Sequence, residues 1–243
     1  MIDYAIKNNI DYKNTSVQSI VCIGEPIRDK DLQLSELGKR ITSQWDVKLF
    51  STYASTEMGA AFTECEHGNG GHLRPDLIIL EVVDETGTEV ANKEEGEVVV
   101  TTLGVEGMPL IRYRTGDICR VYKEACSCGR NTPRLGPVIG RKKQMLKFKG
   151  TTLFPPVIFN ILDQEETIEE YLVEVNSNEF GNDDIKVIVD KHLESKEFVK
   201  KLKSAFKSKL RVSPEISFLH KEDILKIKFD PNQRKPKTFI DNR

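Results

Sequence analysis

The apolar positions change their spacing several times along the chain, and each change marks a different kind of element. Residues 1–19 are polar and weakly patterned, so they predict no firm element; their start is abrupt, as if a longer fold had been cut. Residues 20–23 form a short apolar strand that Gly24-Glu25-Pro26 breaks at once. Leu34, Leu37 and Ile41 then fall on one helical face, and residues 46–50 read as the next strand. Strand, glycine turn, helix, strand is a βαβ unit, which predicts a parallel sheet whose ligands bind beyond the carboxyl ends of the strands. Gly24-Glu25-Pro26 lies at one such end, and Tyr53-Ala54-Ser55-Thr56-Glu57, read as five loop residues, lies at the other.

From residue 60 the pattern turns to β. Residues 77–83 and 97–102 are rich in β-formers, and 110–122 continue the run, predicting an antiparallel, barrel-like subdomain. The glycine-bounded basic stretch 140–150 marks a domain boundary, giving domains 1–139 and 140–243. Beyond it Pro155-Pro156 opens a short helix to about Leu162. Residues 171–175 and 185–189 are strands around a Gly-Asn-Asp turn. Phe198, Leu202, Phe206 and Leu210 stripe a helix over 194–210, and 216–219 form a last strand. The fold class is therefore α/β plus α+β: a parallel βαβ unit and an antiparallel subdomain, followed by a small α+β domain. Residues 229–237 read as a polar, mobile tail.

Composition narrows the function. The chain has 243 residues with 38% hydrophobic and 30% charged, which is globular. A net charge of −2 carries no basic bias toward nucleic acid. No apolar run is long enough for a bilayer and no signal peptide is expected, so a cytoplasmic location follows by default. In that reducing setting the five cysteines are not expected to pair. Cys65-Glu66-His67 and Cys126-Ser127-Cys128 are instead two close-spaced ligand pairs, and zinc takes four N/S ligands. The first choice is Cys65, His67, Cys126 and Cys128, with His72 able to replace His67.

Arg112-Tyr113-Arg114-Thr115-Gly116-Asp117 holds two arginines, a turn and a carboxylate. An Asp fixed after a tight turn accepts two hydroxyl hydrogen bonds, which suits a ribose. Arg112 and Arg114 could hold that Asp or grip phosphate with a planar fork. In the loop after the second strand, Tyr53 could stack on a base, Thr56 bond a phosphate oxygen, and Glu57 ligate Mg²⁺.

Taken together, Gly24-Glu25-Pro26, Tyr53 to Glu57, Arg112 to Asp117, Gly140-Arg141 and a late lysine resemble the adenylate-forming acyl-CoA ligases. The Cys126-to-Arg130 element and the ending Ile240-Asp241-Asn242-Arg243 are similar to the phenylacetate-CoA ligase branch. The resemblance implies that a small aryl or acyl carboxylic acid attacks ATP to give an acyl adenylate, from which coenzyme A displaces AMP. It implies that Gly24, Glu25 and Pro26 line the adenine and substrate pocket, and that Tyr53 packs on adenine, with Ala54 and Ser55 beside the nucleotide. Thr56 would bond the α-phosphate, Glu57 bind Mg²⁺, Asp117 hold the ribose and Arg141 reach the nucleotide. Lys143 would sit at the hinge of a mobile C-terminal domain. The catalytic lysine falls on Lys235, with Lys237 the alternative. The family's Ser/Thr/Gly-rich phosphate loop should precede Gly24, and nothing here matches it. The chain thus resembles a C-terminal half, with a missing N-terminal half or a homodimer as expected partners. A non-catalytic nucleotide- or CoA-binding, zinc-stapled fragment is the alternative.

Overall fold

The computed structural model describes residues 2–178, 183–231 and 236–243. The chain divides into two compact units, residues 1–143 and 144–243.

In the first unit α1 (Ile2–Lys7) precedes β1 (Ser19–Ile23), α2 (Glu36–Gln44) and β2 (Lys48–Ala54). Ser35 caps α2 by accepting the amide of Gly38, satisfying one of the helix's orphan donors. Seven more strands follow: β3 (Ala61–Thr63), β4 (Gly71–His72), β5 (Ile78–Val83), β6 (Glu95–Thr102), β7 (Tyr113–Tyr122), β8 (Arg134–Leu135) and β9 (Gly140–Arg141). β1 and β2 are parallel, with Ser19 opposite Lys48. The β-rich stretch is antiparallel but not a separate layer, because the short strands β3 and β4 splice it to the parallel pair. One sheet runs β1-β2-β3-β4-β8-β7-β6-β5, with β9 on β7. Ile27, Trp45, Val47 and Leu49 are buried beneath the parallel pair. Phe62, Ile78, Val98, Val121 and Leu135 are buried under the antiparallel strands.

β1 is the outer strand of this sheet, and its outward residues Val21 and Ile23 are 60% and 64% exposed.

In the second unit the hairpin β10 (Leu146–Phe148) and β11 (Thr151–Leu153) leads into α3 (Pro155–Asp163), which starts at the expected prolines. β12 (Tyr171–Ser177), β13 (Asp183–Asp190), α4 (Lys196–Leu210), β14 (Glu215–Leu219), α5 (Lys221–Lys228) and β15 (Phe239–Asp241) complete it. The four-stranded order is β14-β13-β12-β15. Leu202 and Phe206 of α4 are buried on that sheet with Val173, Val187 and Ile158. Gly181 and Asn182 of the expected turn lie outside the described residues.

Several elements were not expected, α1, α5 and β15 among them. α1 and α5 are short and charged, and too few apolar positions mark their period. β15 is a three-residue strand that pairs in parallel with β12, as Val173 with Phe239. It brings Arg243 within reach of the Met145 carbonyl at 2.8 Å and Asp183 at 3.1 Å. Among the described residues no helix is long and apolar enough to cross a membrane.

Candidate functional site: a Tyr–Asp–Arg convergence and a thiol–imidazole cluster

Tyr53 and Ala54 are not loop residues. They close β2, where Tyr53 pairs with Phe62 and Ala54 with Ala61 on β3. The alternating side of a strand therefore fixes Tyr53, and its ring lies 6.0 Å from that of Phe62. Its hydroxyl donates to Oδ2 of Asp117 at 2.9 Å. Burial, added to the facing Asp117 carboxylate, pushes this phenol well above its ordinary value, so it stays a donor.

Asp117 lies inside β7 and not after a tight turn. A register shift between Glu97 and Val99 shows a bulge opposite this stretch, and Gly116 takes φ +77°. The Asp117 amide donates to the Thr115 hydroxyl at 3.1 Å. Arg141 Nε donates to Asp117 Oδ1 at 3.2 Å, across the β7–β9 pair that sets Asp117 opposite Arg141. Tyr53, Asp117 and Arg141 thus meet at one place. Each Asp117 oxygen keeps a second lone pair, so the carboxylate can still take hydroxyl donors.

The two arginines before Asp117 do not hold it. Arg112 pairs with Glu81 at 3.1 Å, and Arg114 with Glu97 at 2.7 Å. Arg114, on β7, reaches β6, whereas Arg112, in the bend before β7 at φ +47°, reaches Glu81 on β5. Glu97 is buried and also receives Lys142 at 3.3 Å.

Ser55, Thr56 and Glu57 form the turn that leaves β2, with Thr56 and Glu57 exposed. The Met58 amide donates to the Ser55 hydroxyl at 3.4 Å. Hydrogen bonds from its own amide and from Ser55 hold the Glu57 carboxyl below its usual range, so it is an anion. Such an exposed, ionised oxygen donor fits a hydrated Mg²⁺, which takes one or two carboxylates and several waters.

Gly24, Glu25 and Pro26 are exposed just past β1, with Gly24 at φ +89°. They and the Ser55–Glu57 turn lie beyond the carboxyl ends of the two parallel strands. An unforeseen pair anchors this region. Arg28 Nε lies 2.7 Å from a Glu64 oxygen, with the side chains 14% and 2% exposed, and the Ser51 amide donates to the same carboxylate at 3.0 Å. Single charges 36 residues apart give no sequence signal.

Lys143 sits in a one-turn 3₁₀ helix, Lys142–Gln144. Lys235 lies outside the described residues. The Lys237 amide donates to the Lys228 carbonyl at 2.7 Å.

Among the described residues, Cys65, His72, Cys126 and Cys128 place one ligand atom each within 4.8 Å of one another. Cys65 and Cys126 sulfurs are 3.6 Å apart, and Cys128 sulfur is 3.5 Å from His72 Nε2. His72, not His67, completes the set. The Gly68 amide closes a turn on the Cys65 carbonyl at 3.0 Å. His67 sits in that turn, 37% exposed, with its Nε2 3.9 Å from Glu66. His72 instead lies in β4, buried, opposite Thr63. Both cysteine loops aim an amide back at a sulfur, from His67 to Cys65 and from Cys128 to Cys126. Burial pushes both thiols up. It prevails at Cys65, whereas at Cys126 the Cys128 amide, neighbouring thiols and Arg134 prevail and leave it below its ordinary value. Burial, then Arg130 and Arg134, lower His72 and keep it neutral. Arg134, also unforeseen, donates to the Asn69 carbonyl at 2.8 Å and the Glu124 carbonyl at 3.1 Å, tying the two loops.

No family profile matches the chain. A 2-hydroxyisobutyryl-CoA ligase in complex with R3-HIB-AMP shares the fold over 100% of this chain and 52% of that one, at 21% identity and TM-score 0.78. A benzoate CoA ligase from Burkholderia xenovorans LB400 covers 98% of this chain and 47% of its own, at 18% identity and TM-score 0.64. The fold is the one these two CoA ligases share over about half of their own chains. In sequence the chain is similar to phenylacetate-coenzyme A ligases: it is 37% identical over 128 residues to the one of Thermus thermophilus, 51% of this chain. It is 31% identical over 166 residues to that of Aromatoleum evansii, 63% of this chain. The matches span 29% and 37% of those relatives' lengths.

Proposed function

We propose that this chain is the nucleotide-holding part of an ATP-dependent carboxylate–CoA ligase. The observation that carries the reading is the convergence of Tyr53, Asp117 and Arg141 beside the Ser55–Glu57 turn, beyond the ends of a parallel strand pair. A small carboxylate attacks the α-phosphorus of ATP and expels pyrophosphate. The thiol of coenzyme A then attacks the acyl carbon and AMP leaves. In this reading Asp117 accepts both ribose hydroxyls, Tyr53 flanks the adenine, and Arg141 orients Asp117. Gly24, Glu25 and Pro26 line the pocket, with Ala54 and Ser55 at the nucleotide's edge. Thr56 donates to the α-phosphate, and Glu57 holds Mg²⁺, which neutralises phosphate charge. Residues 140–243 act as the mobile domain, hinged at Lys143, that brings Lys235 or Lys237 to the reacting carboxylate. A structural zinc at the thiol–imidazole cluster and a reducing cytoplasmic setting belong to the same reading.

The chain carries no glycine-rich phosphate loop before Gly24. We assign that loop, and much of the acid's pocket, to a longer chain or a partner. In a second reading this chain binds nucleotide or CoA without turnover, which the Tyr53–Asp117–Arg141 convergence supports equally. Substrate-dependent pyrophosphate exchange, measured on an assembly that includes the phosphate loop with a panel of aryl and alkyl acids, tests the ligase. Exchange with one acid class supports it. AMP or CoA binding with no exchange leaves the second reading.

A further inference from the structure

Tyr53 and Asp117 sit on strands that are not neighbours. β2 connects to β7 only by way of β3, β4 and β8. That path is thin. β3 and β4 share the single register pair Thr63 and His72, and β4 meets β8 through Gly71 with Leu135 and His72 with Arg134. β8 meets β7 through Val121 with Leu135 and Tyr122 with Arg134. His72 takes part in both joints of β4, and the three cysteines of the thiol–imidazole cluster lie in the loops beside the path. Cys65 follows β3, His72 is in β4, and Cys126 and Cys128 lie between β7 and β8.

The four ligand atoms lie within 4.8 Å of one another, and two of their separations match those of a closed zinc site. Four-coordinate zinc with bonds near 2.3 Å to sulfur and 2.0 Å to nitrogen sets two sulfurs roughly 3.8 Å apart and a sulfur and a nitrogen roughly 3.5 Å apart. The separations here are 3.6 Å and 3.5 Å. Three sulfurs and one imidazole select a soft, tetrahedral ion over Mg²⁺ or Ca²⁺. His72 Nδ1 lies 3.1 Å from the Thr132 hydroxyl, which orients the ring with Nε2 toward Cys128. Arg134 ties the two loops and places a cation beside the thiolates, offsetting the net negative charge that three thiolates leave on a divalent ion.

We infer that one zinc ion held by Cys65, His72, Cys126 and Cys128 closes the β3–β4–β8–β7 path and thereby sets the spacing of Tyr53 and Asp117, so that metal loading controls nucleotide binding. The nucleotide half of this inference rests on the function proposed above.

The test starts from the full chain purified without chelator. Elemental analysis should find about one zinc per chain. His72→Ala and Cys128→Ser should lose it, whereas His67→Ala should keep it. Removing zinc with a chelator should weaken AMP binding at least about tenfold, a typical effect of disturbing a metal shell, and adding Zn²⁺ back to the same sample should restore it. Hydrogen exchange of residues 48–54 and 113–122 should rise on chelation and fall on reloading. A chain that neither carries nor takes up zinc overturns the inference, as does zinc loss with unchanged exchange in both strands. A zinc-loaded chain that fails to bind AMP overturns the proposed nucleotide cradle instead, and the exchange experiment still decides whether zinc sets the strand path.

Discussion

The hydroxyl of Tyr53 donates to the carboxylate of Asp117 at 2.9 Å, across 64 residues of sequence. One residue therefore offers a ring face and the other an acceptor at a single point, and the two are coupled. In the proposed cradle, Asp117→Ala removes the acceptor for two ribose hydroxyls. AMP binding should weaken by about 2–4 kcal/mol, from charge-assisted bonds of roughly 1.5–3 kcal/mol each less what water replaces. Titration calorimetry of wild type and variant reads the difference, and equal affinities would remove Asp117 from the cradle.

Tyr53→Phe keeps the ring on Phe62 and deletes only the donor. The loss in folding stability should be about 1 kcal/mol, the net worth of one hydrogen bond. The loss in AMP affinity should be smaller than for Asp117→Ala, because the freed Asp117 oxygen would remain an acceptor in the proposed cradle. Urea unfolding and calorimetry on one preparation separate the two effects.

Glu64 is 2% exposed and its partner Arg28 14%. Arg28→Met leaves a buried carboxylate with only the Ser51 amide. Breaking such a pair from one side costs about 3–5 kcal/mol. The urea midpoint should fall accordingly, and restoring Glu64's neutrality with Glu64→Gln in the double variant should recover part of it.

Gly71→Ala would set a Cβ 2.3 Å from the Phe62 carbonyl oxygen, which is backbone and has little room to yield. Overpacking of this kind costs about 1–3 kcal/mol. A thermal scan should show a lower midpoint, whereas Gly87→Ala, with open space around it but φ +89°, should cost only backbone strain.

Burial alone would raise the Glu97 carboxyl, but hydrogen bonds from Arg114 and Lys142 prevail and hold it below its ordinary 4.5. The unfolded chain then binds this proton at higher pH than the folded one. Its stabilising contribution is complete above the unfolded value and is lost as pH falls from about 4.5 through the folded value. Glu97→Gln should flatten that part of the acid limb in unfolding curves taken from about pH 6 to about pH 3.

The sequence carried what repeats or clusters locally. The apolar stripe of α4, the Pro155 start of α3 and the parallel β1–α2–β2 unit were all legible, because each is specified by residues within a few turns. What was missed is specified by residues far apart. Tyr53 and Ala54 read as loop because nothing near them shows that Phe62 and Ala61 supply a partner strand. Arg112 and Arg114 read as holders of Asp117 or of a phosphate by proximity in sequence, whereas they pair with Glu81 and Glu97, and β pairing sets Arg141 against Asp117. The cysteines stood out by spacing, but choosing His72 over His67 needed the turn at Gly68 and the two-residue strand β4.

The outer strand β1 shows Val21 and Ile23 to solvent beside a row of backbone groups paired on one side only. A ladder with one open side is a template that accepts any extended segment, including the same strand of another molecule. For this chain taken alone, the limiting variable in solution is therefore crowding. Turbidity should rise with concentration at temperatures where each molecule is still folded, and a charge placed at Val21 should delay it without moving the melting point.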